Sequence, residues 1–172
     1  MLLIIYFCIY IKYFMAETLF IPATTQRAEI YEAVLPQIQA LLSTETDLIA
    51  NLANVAAVLR EAFGFFWVGF YIVRGNELVL GPFQGTLACT RIPFTRGVCG
   101  ACYTERKPML VPDVDAFPNH ITCSSAARSE IVVPIFDKTT GVVTMVLDID
   151  SDKLADFSDI DQQYLEQLAT ML

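Results

Sequence analysis

The stretch FFWVGFYIVRGNELVLGPF, residues 65–83, decides how the rest of the chain reads. Two runs rich in β-branched and aromatic residues flank Arg74-Gly75-Asn76, a turn signal, and so read as the paired strands of a hairpin. Further β-rich runs follow at MLVPDV (109–114), SEIVVPIF (129–136) and GVVTMVLDID (141–150), the last two separated by Lys138-Thr139-Thr140-Gly141. Upstream the period is helical. In QRAEIYEAVLPQIQALL, residues Ile30, Val34, Ile38 and Leu42 recur at helix spacing, with Pro36 expected as a kink or boundary. In TETDLIANLANVAAVLREAFG, Thr44 with Asp47 has the capping-box pattern, Leu48, Leu52, Val55, Leu59 and Phe63 share a face, and Gly64 supplies the stop. Ser158 and Asp161 cap a final helix, SDIDQQYLEQLATML.

Helices, then hairpin-spaced strands, then a helix predict an α+β domain: a central, mainly antiparallel sheet with the N- and C-terminal helices packed on one face. A doubly wound parallel sheet would need crossover helices of about ten residues between most strands, and these are missing. At 172 residues, 55% of them hydrophobic and with 12 Phe and 7 Tyr, the chain has the material for one substantial core. Its formal charge is -8, and no cluster of Lys or Arg is present to track a phosphate backbone, which argues against nucleic acid as a partner.

Residues 1–14, MLLIIYFCIYIKYF, differ from everything after them. The run is shorter than the roughly 20 residues of a membrane-spanning helix, and Lys12 interrupts it. It also lacks a basic n-region and a small-residue cleavage site, so neither a membrane span nor a secretory signal is expected. Translation from Met15 is the preferred reading, with residues 15–172 forming a single cytoplasmic domain; a retained leader would instead suit an interfacial anchor.

The longest insertion between strands runs from about residue 85 to 128 and holds four of the five cysteines: Cys89, Cys99, Cys102 and Cys123. Connections of that length in a compact domain are more often functional than accidental. Three readings are open from the residues alone. Free cysteines are commonly buried, which suits Cys102 on the apolar side of a short helix, GACYTER. Cys99-x-x-Cys102 with His120-x-x-Cys123 is a formal zinc ligand set, although Cys99 reads better as the start of that helix than as part of a zinc knuckle. Cys89, Cys99 and Cys123 also lie in loop-like segments, where helix N-termini and nearby donors lower thiol pKa values and a second thiol can be brought into bridging range. Three spaced thiols suit attack, sulfenic acid formation and disulfide resolution.

The segment GVCGACYTERKPMLVPDVDAFPNHITCSSAARSEIVVPIF, followed by GVVTMVLDIDS, resembles the free methionine-(R)-sulfoxide reductases, which are built on a GAF domain. Cys89, Cys99 and Cys123 match that family's three redox cysteines in order and spacing, and the likeness extends over residues 16–172; Cys8 and Cys102 fall outside the pattern. With the sequence ending at Leu172, the last helix is expected to lack the family's final turn. The resemblance implies reduction of free L-methionine (R)-S-oxide, with no cofactor and no metal. Cys123 would attack the sulfoxide sulfur, Cys89 would resolve the resulting sulfenic acid and Cys99 would serve as a second resolving thiol. Thioredoxin would reopen the disulfide, in a homodimeric protein.

Trp67 and Tyr71 take a role from the resemblance, and the acids and loop N–H groups take theirs from the chemistry that such a substrate requires. Trp67 and Tyr71 would wall the methyl-thioether end, and their spacing puts both on one face of a strand. Glu130, with Asp148 and Asp150 alternating along VLDID, would meet the substrate ammonium and supply a proton to the sulfoxide oxygen, since crowded carboxylates raise one another's pKa. Backbone N–H groups of Ile121, Thr122 and Cys123 would receive the substrate carboxylate, with His120 shaping their loop. A sensory GAF-type module that binds a small ligand without turnover is the rival reading. The three matching cysteines favour the enzyme, and no output domain accompanies them within these 172 residues.

Overall fold

A computed structural model describes residues 18–172; the expectations for residues 1–14, for a start at Met15 and for Cys8 lie outside the described residues. The elements run α1 (Arg27–Thr44), α2 (Leu48–Phe63), β1 (Trp67–Arg74), β2 (Glu77–Gln84), β3 (Arg91–Pro93), α3 (Gly97–Glu105), β4 (Met109–Val111), a 3₁₀ turn (Val114–Ala116), β5 (Ser129–Phe136), β6 (Val143–Ser151) and α4 (Asp159–Ala169). The six strands form one antiparallel sheet in the order β3-β2-β1-β6-β5-β4. The hairpin of residues 65–83 forms as its sequence predicts, with Arg74 opposite Glu77 at the turn. Among the described residues no helix is long and apolar enough to cross a membrane.

Alternation along the three central strands sorts side chains between two cores. Val68, Phe70 and Ile72 of β1, Ile131, Val133 and Ile135 of β5, and Met145, Leu147 and Ile149 of β6 pack with α1, α2 and α4. The intervening residues Trp67, Tyr71, Val132 and Val146 point to the opposite face, where Val98, Cys99 and Cys102 of α3 cover them. The N- and C-terminal helices therefore share one face, as predicted, whereas α3 and the long insertion close the other. Gly100 lets α3 approach: a Cβ there would stand 2.8 and 2.9 Å from the carbonyl oxygens of Phe94 and Pro93.

Two local expectations are corrected. Pro36 neither ends nor starts a helix; α1 continues from it to Thr44, with Val34, Leu35 and Ile38 all in the core, so tertiary packing overrides the lost N–H donor. Thr44 is the last residue of α1 and no cap; Asp47 caps α2 by accepting from Ala50 N at 2.9 Å. This start leaves Leu48 exposed, while Leu52, Val55 and Leu59 are buried as their spacing predicts. Gly64 ends α2 in the left-handed region, φ 66°, its N–H donating to Arg60 O at 3.0 Å. At α4 the expected cap forms: Ser158 N donates to Asp161 Oδ2 at 2.8 Å.

Candidate active site

The register of the central strands brings the three acids together. Asp150 on β6 stands between Trp67 on β1 and Glu130 on β5, while Asp148 stands between Gly69 and Val132. All three carboxyls therefore project from the α3 face of the sheet, Glu130 directly across from Asp150 and Asp148 two residues before Asp150 on the same strand. Glu130 and Asp148 are each only 6% exposed, and Asp148 Oδ1 has no hydrogen-bond partner among the described residues. Burial comes first among the causes that raise all three, and repulsion from Asp148 comes next for Glu130 and Asp150. Glu130 and Asp150 are pushed well above the usual carboxylate range. Burial raises Asp148 to about 6, with the Cys99 thiol and the Glu130 carboxyl as neighbours whose protons favour its ionised form. Burial thus makes all three carboxyls harder to ionise than exposed ones.

Cys99 faces the acids from α3. Its sulfur and carboxylate oxygens of Glu130 and Asp148 lie within 4.8 Å of one another, the one such grouping of potential metal ligands among the described residues. The Cys99–Cys102–His120–Cys123 set considered as a zinc site is not assembled, because the Cys123 sulfur is bonded to Cys89. Cys99 is also not a loop thiol with a lowered pKa: it is the third residue of α3, 3% exposed, and burial followed by the charges of Asp148 and Glu130 raises its thiol well above the ordinary value. Burial outweighs the helix N-terminus here. Cys102 is fully buried, as predicted, with its Sγ donating to Val132 O at 3.6 Å.

Cys89, in the loop between β2 and β3, and Cys123, in the loop before β5, form a disulfide with Cα atoms 5.3 Å apart. Beneath it is a cavity of about 30 Å³ bounded by Cys99, Cys123, Glu130, Asp148, Asp150 and Ile121. That is room for one or two water molecules. His120 also borders the cavity; burial lowers its pKa, so it stands as neutral imidazole. Ile92, Gly97, Val98, Ser124 and Ala127 complete the walls and had no signal in the sequence beyond their proximity to cysteines. The backbone N–H groups of Ile121, Thr122 and Cys123 donate to no protein acceptor among the described residues, and the Thr122 side chain points to solvent.

Trp67 and Tyr71 share the acids' face but do not border this cavity. Their rings stack, with centroids 6.0 Å apart, and each holds the Cys89 loop from below: Trp67 Nε1 donates to Thr86 O at 3.1 Å and Tyr71 Oη donates to Cys89 O at 2.9 Å. Two glycines make room for the indole. A Cβ on Gly69 would lie 2.6 Å from Trp67 Cη2, and one on Gly85, where φ is 143°, would lie 2.5 Å from Trp67 Cδ1.

Sheet order, helix placement and a thiol pair closing over buried acids define a GAF-type domain with a small, polar ligand site. A GAF domain family model matches residues 47–172. The chain is 54% identical to GAF domain-containing protein A of Dictyostelium discoideum, over 92% of this chain and 99% of that one. It is 42% identical to the free methionine-R-sulfoxide reductase of Escherichia coli K12, over 85% of this chain and 88% of the other. The X-ray structure of free methionine-R-sulfoxide reductase from Neisseria meningitidis in complex with its substrate superposes with a TM-score of 0.87 at 54% identity, covering 91% of this chain and 93% of that one. The chain belongs to the free methionine-R-sulfoxide reductase family of GAF-domain proteins.

Proposed function

We propose that the protein reduces free L-methionine (R)-S-oxide to L-methionine through the thiol of Cys123. The observation that carries this reading is the Cys89–Cys123 disulfide closing over three buried carboxyls of raised pKa. Such carboxyls are costly without a partner, and a free amino acid brings an ammonium for the ionised one. In the reduced form the Cys123 sulfur attacks the sulfoxide sulfur while a protonated carboxyl donates to the oxygen as the S–O bond weakens. The oxygen, carrying that proton, then passes from the methionine sulfur to the Cys123 sulfur, methionine leaves, Cys123 is left as a sulfenic acid, and the proton of the attacking thiol restores the carboxyl. The Cys89 sulfur then attacks the Cys123 sulfur, the S–S bond forms and water departs with the Cys89 proton.

Several further roles belong to the same reading. Cys99 borders the same cavity and acts as the second resolving thiol, slower than Cys89 because its thiol is held protonated. Trp67 and Tyr71 wall the methyl end, and the N–H groups of Ile121, Thr122 and Cys123 bind the carboxylate. With room for only one or two waters, the disulfide-closed form admits no amino acid, so substrate enters after the Cys89 and Cys123 loops part. Thioredoxin reopens the disulfide of a cytoplasmic homodimer. A sensory module without turnover would have no use for a disulfide over the ligand site.

The test is substrate choice. Blocking the amine leaves the ionised carboxyl unpaired, so N-acetyl-methionine (R)-sulfoxide is expected to be reduced at least about a hundredfold less efficiently than the free amino acid. Equal kcat/KM values for the two would contradict the ammonium subsite, and binding of the free sulfoxide without release of methionine would support the sensory reading.

A further inference from the structure

The loop carrying Cys89 has a second feature that the thiol chemistry does not use. Leu87, two residues before Cys89, is 90% exposed, the most exposed of the large apolar side chains among the described residues. Its position is held by the fold: Thr86 O accepts from Trp67 Nε1 and Cys89 O accepts from Tyr71 Oη, so buried aromatic side chains hold the backbone on both sides of it. Between these anchors the chain has little choice but to turn Leu87 outward. Across the disulfide, Thr122, Ser125 and Ala126 are exposed as well. From Gly85 to Thr90 and from Ile121 to Ala127 there is no charged side chain, in a protein of net charge -8.

Whatever reopens the disulfide has to bring a thiolate to one of its sulfurs, and a protein dithiol must lay its own surface on these two loops to do so. Uncharged, small residues cost little to desolvate, and a projecting leucine held at a fixed place is the kind of apolar contact that a protein partner buries. We propose that Leu87 is the docking contact for the protein dithiol that recycles the enzyme. This rests on the thioredoxin-dependent cycle proposed above and extends it with the surface that the reductant covers. Exchange then follows the usual course: the reductant's thiolate attacks one sulfur of the Cys89–Cys123 bond, a mixed disulfide forms and the other cysteine leaves as thiolate. The reductant's second thiol then closes its own disulfide and releases the enzyme with both cysteines reduced.

The test compares two reductants on the full chain, thioredoxin and dithiothreitol, using Leu87→Ser and the conservative Leu87→Met. Dithiothreitol reaches the disulfide without a docking surface. Leu87→Ser is expected to lower kcat/KM for thioredoxin about tenfold, the scale of losing partial burial of one leucine side chain. Dithiothreitol-supported turnover and the methionine released in a single turnover without reductant should match the unaltered protein, and Leu87→Met should restore most of the thioredoxin efficiency. Equal thioredoxin kcat/KM for Leu87→Ser and the unaltered protein overturns the docking inference alone, as does an equal loss with dithiothreitol. Failure of thioredoxin to recycle the unaltered protein, when dithiothreitol does, overturns the choice of reductant and this inference with it; release of no methionine in the single turnover overturns the proposed reaction itself.

Discussion

β1, β5 and β6 have two faces that differ in kind although they are built from the same 25 residues of strand. On the helix face, Val68, Phe70, Ile72, Ile131, Val133, Ile135, Met145, Leu147 and Ile149 are buried in one hydrophobic cluster with the helices. On the α3 face, the residues between them include Trp67, Tyr71, Glu130, Asp148 and Asp150, with Asp148 Oδ1 left unpaired. The first arrangement gains free energy from burial, and the second gives part of it up to hold acids and a thiol close together. Strand alternation makes the division possible: one substitution affects one face and reaches the other only through the backbone.

The largest expected effect separates the faces by activity. Asp148→Asn keeps the volume but removes a proton donor or ammonium partner, and turnover should fall about a hundred- to ten-thousandfold with the fold intact. Steady-state kinetics alongside thermal melting would check this; a variant retaining full activity would place the proton donor elsewhere. Next, Phe70→Ala removes a fully buried ring from the helix face and should cost about 3–5 kcal/mol of stability by denaturant unfolding, while the remaining folded protein stays active. Loss of activity without loss of stability would deny the separation.

A smaller effect appears in the pH dependence of stability. The folded-state pKa of Asp148, about 6, lies above the ordinary aspartate value of 3.8, so between these values the folded chain holds a proton that the unfolded chain has lost. Its contribution to stability therefore declines as pH rises through this window, and Glu130 and Asp150, also raised, act in the same direction. Asp148→Asn should thus gain stability relative to the unaltered protein between pH 4 and pH 8; a difference that stays constant over that range would contradict the assignment. The smallest effect belongs to Cys102→Ser. That side chain points from α3 into the sheet and has no place in the thiol cycle, so turnover should be unchanged and stability altered by about 1 kcal/mol or less.

Much of this division was legible in the sequence. The spacing of VLDID places Asp148 and Asp150 together, and Trp67 with Tyr71, because strand side chains alternate strictly. The caps at Gly64 and Ser158 were legible for the same reason: local backbone geometry dictates the residue type. What the sequence hid depends on distant partners. Thr44 and Asp47 both qualify as helix caps by type, and only the end of α1 decides between them. Pro36 reads as a breaker, yet the packing of Val34, Leu35 and Ile38 carries the helix through it. Cys99 reads as an accessible thiol at a helix start, but the sheet it faces, with Asp148 and Glu130, makes it buried and hard to ionise. The aromatic pair hides a second task too: the hydrogen bonds to Thr86 and Cys89 arise from a loop whose path no local pattern specifies.

The central claim is that Cys123, closing over the acids of the α3 face, carries out the reduction. The direct measurement is a single turnover in the absence of any reductant, with released methionine counted per protein for the unaltered chain and for Cys123→Ser, Cys89→Ser and Cys99→Ser. About one methionine per chain is expected from Cys89→Ser, because attack by Cys123 releases methionine before any resolving thiol acts, and none from Cys123→Ser. A full equivalent from Cys123→Ser together with none from Cys99→Ser would contradict the account and make Cys99 the attacking thiol.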